Sequence, residues 1–185
     1  MRHPHRSDTF NHLFEPMAES SKPTIVETGT IRNHLDTYKY GDGHSTLKFA
    51  EFVSRFGGEL YSVDIDPMAV VVSKALVGKE FSDSMESIHI IESDSVAFLE
   101  SFEKPIDVLY LDSDNDANLI LNEAKAALGC LHEDSIILID DCFCEIRKET
   151  HGIQKGDLVI PFLEENGWTM INVQYQALFI HEDRF

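Results

Sequence analysis

Residues 24–46 read TIVETGTIRNHLDTYKYGDGHST, and this stretch indicates the fold. Its first part, TIVETGT at 24–30, is a short apolar run that reaches a glycine, which is typical of a buried strand followed by a tight turn. Its last part, GHST at 43–46, precedes a segment with apolar residues at helical spacing. The stretch therefore predicts a strand, a turn and a helix, with a polar and aromatic insertion at 31–42.

Four further runs rich in Val, Ile, Leu and Tyr follow along the chain: ELYSVDI (59–65), SIHIIES (87–93), IDVLYLD (106–112) and SIILIDD (135–141). Near-continuous apolar runs indicate parallel strands that are buried on both faces. The segments between the runs carry apolar residues at helical spacing: 44–57, 67–81, 95–102 and 117–131. This alternation predicts an α/β fold with a doubly wound, Rossmann-like and mostly parallel sheet of about seven strands.

The C-terminal part of the chain follows another pattern. Residues 157–167 predict a helix closed by a glycine, and WTMINVQY (168–175) and QALFIHE (176–182) predict two strands with almost nothing between them. Such a pair is antiparallel, and we expect it at the edge of the sheet. We expect one domain over 1–185, with residues 1–20 as either a short N-terminal helix or a partly disordered arm.

The composition limits the classes of partner. Of the 185 residues 43% are apolar, which suits a folded domain, and the formal net charge is −18. A chain with this much negative charge repels phosphate backbones and anionic lipids. We therefore expect neither nucleic acid nor membrane as a partner. The sequence shows no long apolar run and no signal-peptide core near its N-terminus, which favours a cytoplasmic protein. The odd count of 3 cysteines does not indicate a disulfide framework.

Acidic and small polar residues follow every predicted strand. In an open α/β sheet, ligands bind beyond the carboxyl ends of the strands, so these residues are expected to share one edge. Some have an ordinary role as helix N-caps, for which Ser95 and Asp116 are suitable. Asp64 is not needed as a helix cap, because Pro67 already begins the next helix. An acid at the end of the second strand can accept hydrogen bonds from the hydroxyls of a ribose.

The turn after the first strand does not suit a pyrophosphate. A dinucleotide fold has G-x-G-x-x-G in one compact turn, whereas Gly29 here is followed by TIR and the next glycines are Gly41 and Gly43. Glu27 would repel a pyrophosphate and would attract a cationic ligand. These features disfavour a dinucleotide-dependent or nucleotide-sugar oxidoreductase, which stays open as an alternative.

From about residue 24 onward, the chain resembles the class I S-adenosylmethionine-dependent methyltransferases. ETGT with GHST resembles their first motif, split by an insertion, and YSVDIDP resembles the second. IIESDSVAFL, IDVLYLDSD and SIILIDD resemble the motifs at the third, fourth and fifth strands. Within the class, the likeness is greatest to metal-dependent small-molecule O-methyltransferases, of the catechol type and of the macrolide- and aminocoumarin-sugar type.

The resemblance implies a set of ligand-binding residues. S-adenosylmethionine would bind at the first three strand ends, with its methionine part facing the first turn, its ribose at the second strand and its adenine at the third. In that order, the residues are Glu27, Thr28, Gly29 and Thr30, then Asp64, then Asp94 and Ser95. Asp112, Asp140 and Asp141 would bind one divalent cation, since carboxylate oxygens suit Mg²⁺. The ordinary alternative for these acids is helix capping and solvated loops.

The resemblance also implies catalytic residues, Asp112 and Asp114. The catechol type has a lysine base shortly after its fourth-strand acid, and the matching position here is Asn115, so we expect that base to be absent. The sugar type would use Asp114 as the base, and His44 and His151 are alternatives. Without the lysine, a catalytically silent S-adenosylmethionine-binding protein stays open as a third class.

Two long segments are expected to overhang the ligand edge. Residues 31–42 and 142–156 would form the walls of an acceptor pocket, although a surface elaboration without ligand contact is the alternative. We expect the acceptor to be a small hydroxylated molecule, or a second subunit of a homo-oligomer to close the site. Cys142 and Cys144 lack a second pair at zinc-like spacing, so we expect them to be structural.

Overall fold

The computed structural model describes residues 10, 13, 22–33, 44–143, 152–173 and 176–184. Within these ranges the chain forms one sheet of seven strands, in the order β3-β2-β1-β4-β5-β7-β6. The strands are β1 (Thr24–Thr28), β2 (Glu59–Asp64), β3 (Ile88–Glu92), β4 (Ile106–Leu111), β5 (Leu131–Ile139), β6 (Trp168–Val173) and β7 (Ala177–His181). β1 to β5 pair in parallel with one another, and β7 is antiparallel to both β5 and β6. The predicted Rossmann-like sheet with an antiparallel C-terminal pair is confirmed.

Helices follow most of the strands. They are α1 (Ser45–Phe56), α2 (Pro67–Glu80), α3 (Ser95–Ser101), α4 (Ala117–Ala127) and α5 (Gly156–Glu165), with short 3₁₀ turns at Ser82–Ser87, Leu128–Cys130 and Glu182–Arg184. No helix in the described ranges is long and apolar enough to cross a bilayer.

Aspartates cap three of these helices. The side chain of Asp66 accepts a hydrogen bond from the backbone of Met68 at the start of α2, at 2.8 Å. Asp116 caps α4 in the same way, as expected. At α3 the expectation of a Ser95 cap is wrong by one residue, because the carboxylate of Asp94 accepts the backbone N–H of Ala97 at 2.9 Å.

β5 begins earlier than the sequence indicates. Its first residues, from Leu131, pair with Ile106 before the register shifts. The hydroxyl of Ser135 stabilises this irregularity, because it accepts the backbone N–H of His132 at 2.8 Å and donates to the Ile106 carbonyl at 2.6 Å. The helix expected to reach residue 131 therefore ends at Ala127.

The sheet separates two apolar cores, one on each face. Successive residues of β4 contribute to opposite cores: Val108 and Tyr110 belong to one cluster, and Leu109 and Leu111 to the other. All four side chains are at most 1% exposed. A strand that is buried on both faces reads as a continuous apolar run, which explains the sequence pattern.

One core includes the part of the N-terminal segment that the structure describes. Phe10 and Leu13 are helical and buried, and the ring of Phe10 lies 5.5 Å from that of Phe49 and 5.8 Å from that of Tyr110, centroid to centroid. The two residues agree with the expected N-terminal helix. The rest of 1–20 lies outside the described residues.

Replacing Phe49, a fully buried ring of this core, should be costly. Phe49→Ala is expected to lower the free energy of unfolding by about 3–5 kcal/mol, because it removes apolar contacts and leaves a cavity. The control is Phe56→Ala in the same helix, where the ring is 46% exposed, and a much smaller loss is expected. Urea unfolding measures both, and equal losses would contradict this description of the core.

Candidate functional site

The turn after β1 passes very close to the end of β4. Gly29 has a φ of +85°, and its N–H donates to the Val63 carbonyl of β2 at 2.7 Å. A Cβ atom on Gly29 would lie 2.4 Å from the backbone carbonyl oxygen of Asp112. Only glycine fits both the left-handed conformation and this contact. The turn therefore lies against the ends of both β2 and β4.

Asp64 at the end of β2 holds the same turn. Its Oδ2 accepts the backbone N–H of Thr30 at 3.0 Å, and its Oδ1 accepts that of Asp66 at 2.9 Å. The side chain is half-buried. A carboxylate offers about four acceptor positions, so Asp64 retains capacity for the hydroxyls of a ligand.

A polar depression opens at this edge of the sheet. It encloses about 340 Å³ of empty space, open solvent included, and its lining residues are Gly29, Thr30, Ile31, Arg32, Ser45, Asp64, Asp112 and Ser113. The structure thus brings three of the predicted cofactor residues together with Asp112.

Glu27 lies buried beside the depression. Ser45 donates a hydrogen bond to its Oε1, and Ser62 donates to its Oε2 at 2.5 Å. Burial raises the pKa of Glu27 to about 7, because desolvation outweighs the hydroxyl hydrogen bonds and the nearby Asp64 adds negative charge. At neutral pH the group can therefore gain or lose a proton, and a cationic ligand would favour its charged form.

A second buried carboxyl group, Glu123 on α4, was not predicted from the sequence. Thr28 Oγ1 donates to its Oε2 at 3.0 Å, and Ser95 donates to its Oε1. Burial raises the pKa of Glu123. The side chains of Thr28 and Ser95, predicted to bind cofactor, thus bond to this buried acid. The sequence signal that could have identified Glu123 is its position on the apolar face of a helix, next to Ala124.

Asp94, which was predicted to bind the adenine at the end of β3, is exposed at the start of α3, where its Oδ1 accepts the backbone N–H of Ala97.

The side chain of Thr30 contacts two other hydroxyl groups. Its hydroxyl donates to Ser73 Oγ at 2.7 Å and lies 3.2 Å from that of Thr46. These hydroxyl contacts join the β1 turn to α1 and α2.

The three acids predicted to bind a metal stand at neighbouring strand ends but do not form a metal site. Asp140 is buried after β5, and Asp141 beside it is 9% exposed with a φ of +54°. Asp112 Oδ1 lies 3.2 Å from the ammonium nitrogen of Lys155. Within the described part of the chain, no three His, Cys, Asp or Glu side chains are grouped so that they could hold a metal. The expected Mg²⁺ is therefore unsupported, since the cation beside Asp112 is a lysine.

Lys155 is the second functional candidate that sequence reasoning missed. The side chain is 2% exposed, and the residue lies in the turn that begins α5. The sequence prediction concerned only position 115, where Asn115 stands in place of the lysine base of the catechol type. A contact between positions 43 residues apart has no local spacing signal.

Two of the remaining catalytic candidates, Asp114 and His44, lie near this edge. Asp114 is exposed, and its Oδ1 accepts the backbone N–H groups of Asn115 and, at 3.3 Å, Asp116. His44 is 6% exposed and immediately precedes α1. His151 lies outside the described residues, as do positions 34–42 of the predicted insertion.

The cysteine prediction is confirmed where it can be examined. Cys142 is fully buried, and burial raises its thiol pKa to about 12, so the group is an inert part of the core. Cys144 lies outside the described residues.

Comparison with protein families identifies the chain. Residues 39–142 match the model of the methyltransferase domain family, and this range spans more than half of the chain. The chain belongs to the methyltransferase domain family. The resemblance to methyltransferases seen in the sequence is thereby confirmed.

One curated relative of this methyltransferase is the O-methyltransferase ankF of Aspergillus thermomutatus. The two are 29% identical over 100 residues, which make up 54% of this chain and 41% of the relative. The match thus spans less than half the length of that relative.

Solved structures show the same fold at low sequence identity. N-methyltransferase NodS from Bradyrhizobium japonicum, in complex with S-adenosylhomocysteine, has a TM-score of 0.64 at 15% identity, over 97% of this chain and 88% of that one. The O-methyltransferase from Bacillus cereus, also in complex with S-adenosylhomocysteine, has 0.63 at 15%, over 97% and 84%. The Podospora anserina methyltransferase PaMTH1 has 0.63 at 14%, over 96% and 97%.

The close contact at Gly29 can be tested against a matched glycine. Gly29→Ala should destabilise the protein by more than Gly152→Ala, because both positions have positive φ but only Gly29 is packed against backbone, whereas a Cβ at Gly152 meets no atom within 4 Å. Left-handed backbone costs alanine about 1–2 kcal/mol at either site. Thermal and urea unfolding measure the difference, and equal effects would show that the approach to Asp112 is not tight.

The raised pKa of Glu27 makes stability depend on pH. The folded state keeps a proton that the unfolded state, with a pKa near 4.5, has lost, so this group's contribution falls as the pH rises from 4.5 to about 7. Glu27→Gln cannot lose a proton. Between pH 4.5 and 8 the variant should therefore gain about 3 kcal/mol relative to the parent chain. Urea unfolding at several pH values measures this difference, and a difference that stays constant with pH would contradict the raised pKa.

Proposed function

We propose that this methyltransferase transfers the methyl group of S-adenosylmethionine to a hydroxyl oxygen of a small acceptor. The observation that carries the proposal is the depression formed by the Gly29 turn, Asp64 and Asp112 at the carboxyl edge of the sheet. Ligands of such sheets bind at this edge. The relative from Aspergillus thermomutatus and the structural neighbour from Bacillus cereus, both named O-methyltransferases, support oxygen as the attacking atom.

The cofactor would bind along the first three strands. Asp64 would accept hydrogen bonds from the ribose hydroxyls, and the exposed side chain of Ile65 beside it offers an apolar surface for the adenine. The methionine part would lie beside the Gly29 turn, which lines the depression. Glu27 and the surrounding acids favour the positive sulfonium over an anionic ligand.

The reaction needs positioning and the loss of one proton. A lone pair of the acceptor oxygen attacks the methyl carbon, the O–C bond forms, and the S–C bond breaks with its electron pair left on sulfur, which yields S-adenosylhomocysteine. The acceptor hydroxyl proton passes to a base. Asp114 stays our candidate because it is exposed one residue beyond the lining residue Ser113, and His44 is the alternative. Holding oxygen and methyl in line supplies much of the acceleration.

A small acceptor suits the charge of the chain. The net charge of −18 opposes the approach of nucleic acid or of an anionic membrane, whereas a neutral phenol or sugar hydroxyl meets no such barrier. The divalent cation expected from the catechol and sugar types has no fitting set of ligands in the described residues, so no step of the reaction is assigned to it.

Binding of S-adenosylhomocysteine tests the cofactor assignment. At about a hundred times its dissociation constant it should add roughly 2.7 kcal/mol of stability, measured as a thermal shift, whereas NAD should add none. Asp64→Ala should weaken the binding about ten- to hundredfold, because ribose hydroxyls lose a charged acceptor. Calorimetry measures the affinity directly.

The matched control for this test is Asp83→Ala. Asp83 lies in the 3₁₀ turn before β3, at the opposite edge of the sheet, and its substitution should leave the affinity unchanged. Stabilisation by NAD and not by S-adenosylhomocysteine would support the oxidoreductase alternative. Cofactor binding without methyl transfer to a panel of phenols and sugars would favour the catalytically silent alternative.

A further inference from the structure

We propose that Lys155 is the built-in cation of this site and excludes a divalent metal from the acids at the ends of β4 and β5, so that methyl transfer proceeds without metal. The inference deepens the proposed function and rests on it. It differs from the expectation drawn from the sequence, in which Asp112, Asp140 and Asp141 share Mg²⁺.

The position of the ammonium group is the first observation. Lys155 Nζ lies 3.2 Å from Asp112 Oδ1, and the lysine side chain is 2% exposed while that of Asp112 is 27% exposed. The charge therefore stands on the protein side of the carboxylate, and the carboxylate itself lines the depression. A buried ammonium needs such a partner, because an unpaired charge is costly away from water.

The backbone holds Lys155 in this place. The next residue, Gly156, begins α5, and its N–H donates to the carbonyl of Cys142 at 3.4 Å, directly after the two acids of β5. Asp140 is tied to β4 in turn, since its N–H donates to the Leu111 carbonyl at 3.1 Å. The lysine is thus brought to the place where the ends of β4 and β5 meet.

The positive charge of Lys155 disfavours a second cation where the ends of β4 and β5 meet. A dication bound to the Asp112 carboxylate would stand a few ångströms from the ammonium, and little solvent lies between to screen the repulsion. The positive charge of Lys155 also acts on the buried carboxyl group of Glu123. One fixed positive charge thus acts on two acids of this edge, Asp112 and Glu123.

Lys155 is therefore a positioning residue for Asp112. Asp112 lines the depression, and its Oδ2 is also 3.5 Å from the hydroxyl of Tyr110. One oxygen of the carboxylate thus contacts Lys155 and the other lies near Tyr110, which fixes the orientation of the group. Loss of the ammonium would remove the positive charge that Lys155 places beside this carboxylate.

The test is a titration with Mn²⁺, followed by electron paramagnetic resonance, on protein first stripped with EDTA. The parent chain should bind no Mn²⁺ at millimolar concentration. Lys155→Met, which keeps the length of the side chain without its charge, should bind Mn²⁺ at least tenfold more tightly than the parent, and Lys155→Arg should not. The double variant Lys155→Met with Asp112→Asn should lose the gained binding.

Two results would overturn the inference. One is Mn²⁺ binding by the parent chain at submillimolar concentration that Asp112→Asn removes. The other is a folded Lys155→Met variant that gains no affinity for Mn²⁺. The first result does not involve Lys155→Met, so it decides even if that variant does not fold.

Two measurements on the EDTA-treated protein test this inference and the proposed function separately. Binding of S-adenosylhomocysteine after EDTA treatment tests the cofactor assignment alone, and the Mn²⁺ titration tests the lysine alone. Once an acceptor from the phenol and sugar panel is methylated, turnover in EDTA should equal turnover in Mg²⁺ for the parent chain. A loss of more than tenfold in EDTA would contradict the role of Lys155.

Discussion

The left-handed turn at Gly29 is the constraint on which the site depends. It lets the chain leave β1 and pass against the carbonyl of Asp112 at the end of β4, where a Cβ atom would overlap with backbone. Asp64 holds the same turn from the other side through the backbone N–H of Thr30. Three strand ends thus converge, and the depression between them follows from the topology of the parallel sheet.

This edge gathers many acids, and the protein stabilises them in two ways. Glu27 and Glu123 are buried and receive hydrogen bonds from serine and threonine hydroxyls, while desolvation raises the pKa of each. Asp112 instead pairs with the ammonium of Lys155. Neither arrangement calls for a metal.

Much of the fold could be predicted because buried parallel strands read as apolar runs and their carboxyl ends carry the acids. The predicted residues that line the depression are those with local sequence signals: Gly29, Thr30, Asp64 and Asp112. Glu123 and Lys155 escaped because their roles depend on contacts between distant segments: the ammonium that reaches Asp112 comes from a turn 43 residues later. The start of β5 was missed for a related reason, since the hydroxyl of Ser135 stabilises an irregular register that no periodicity shows.

The most direct measurement is a crystal structure of the chain with S-adenosylhomocysteine. The ribose hydroxyls should lie within hydrogen-bond distance of the Asp64 carboxylate, and the homocysteine part should lie beside Gly29 with its sulfur facing the side of Asp112. Such a complex would confirm that the converging strand ends form the cofactor site. A ligand bound elsewhere, or this edge left empty at a saturating concentration, would contradict it.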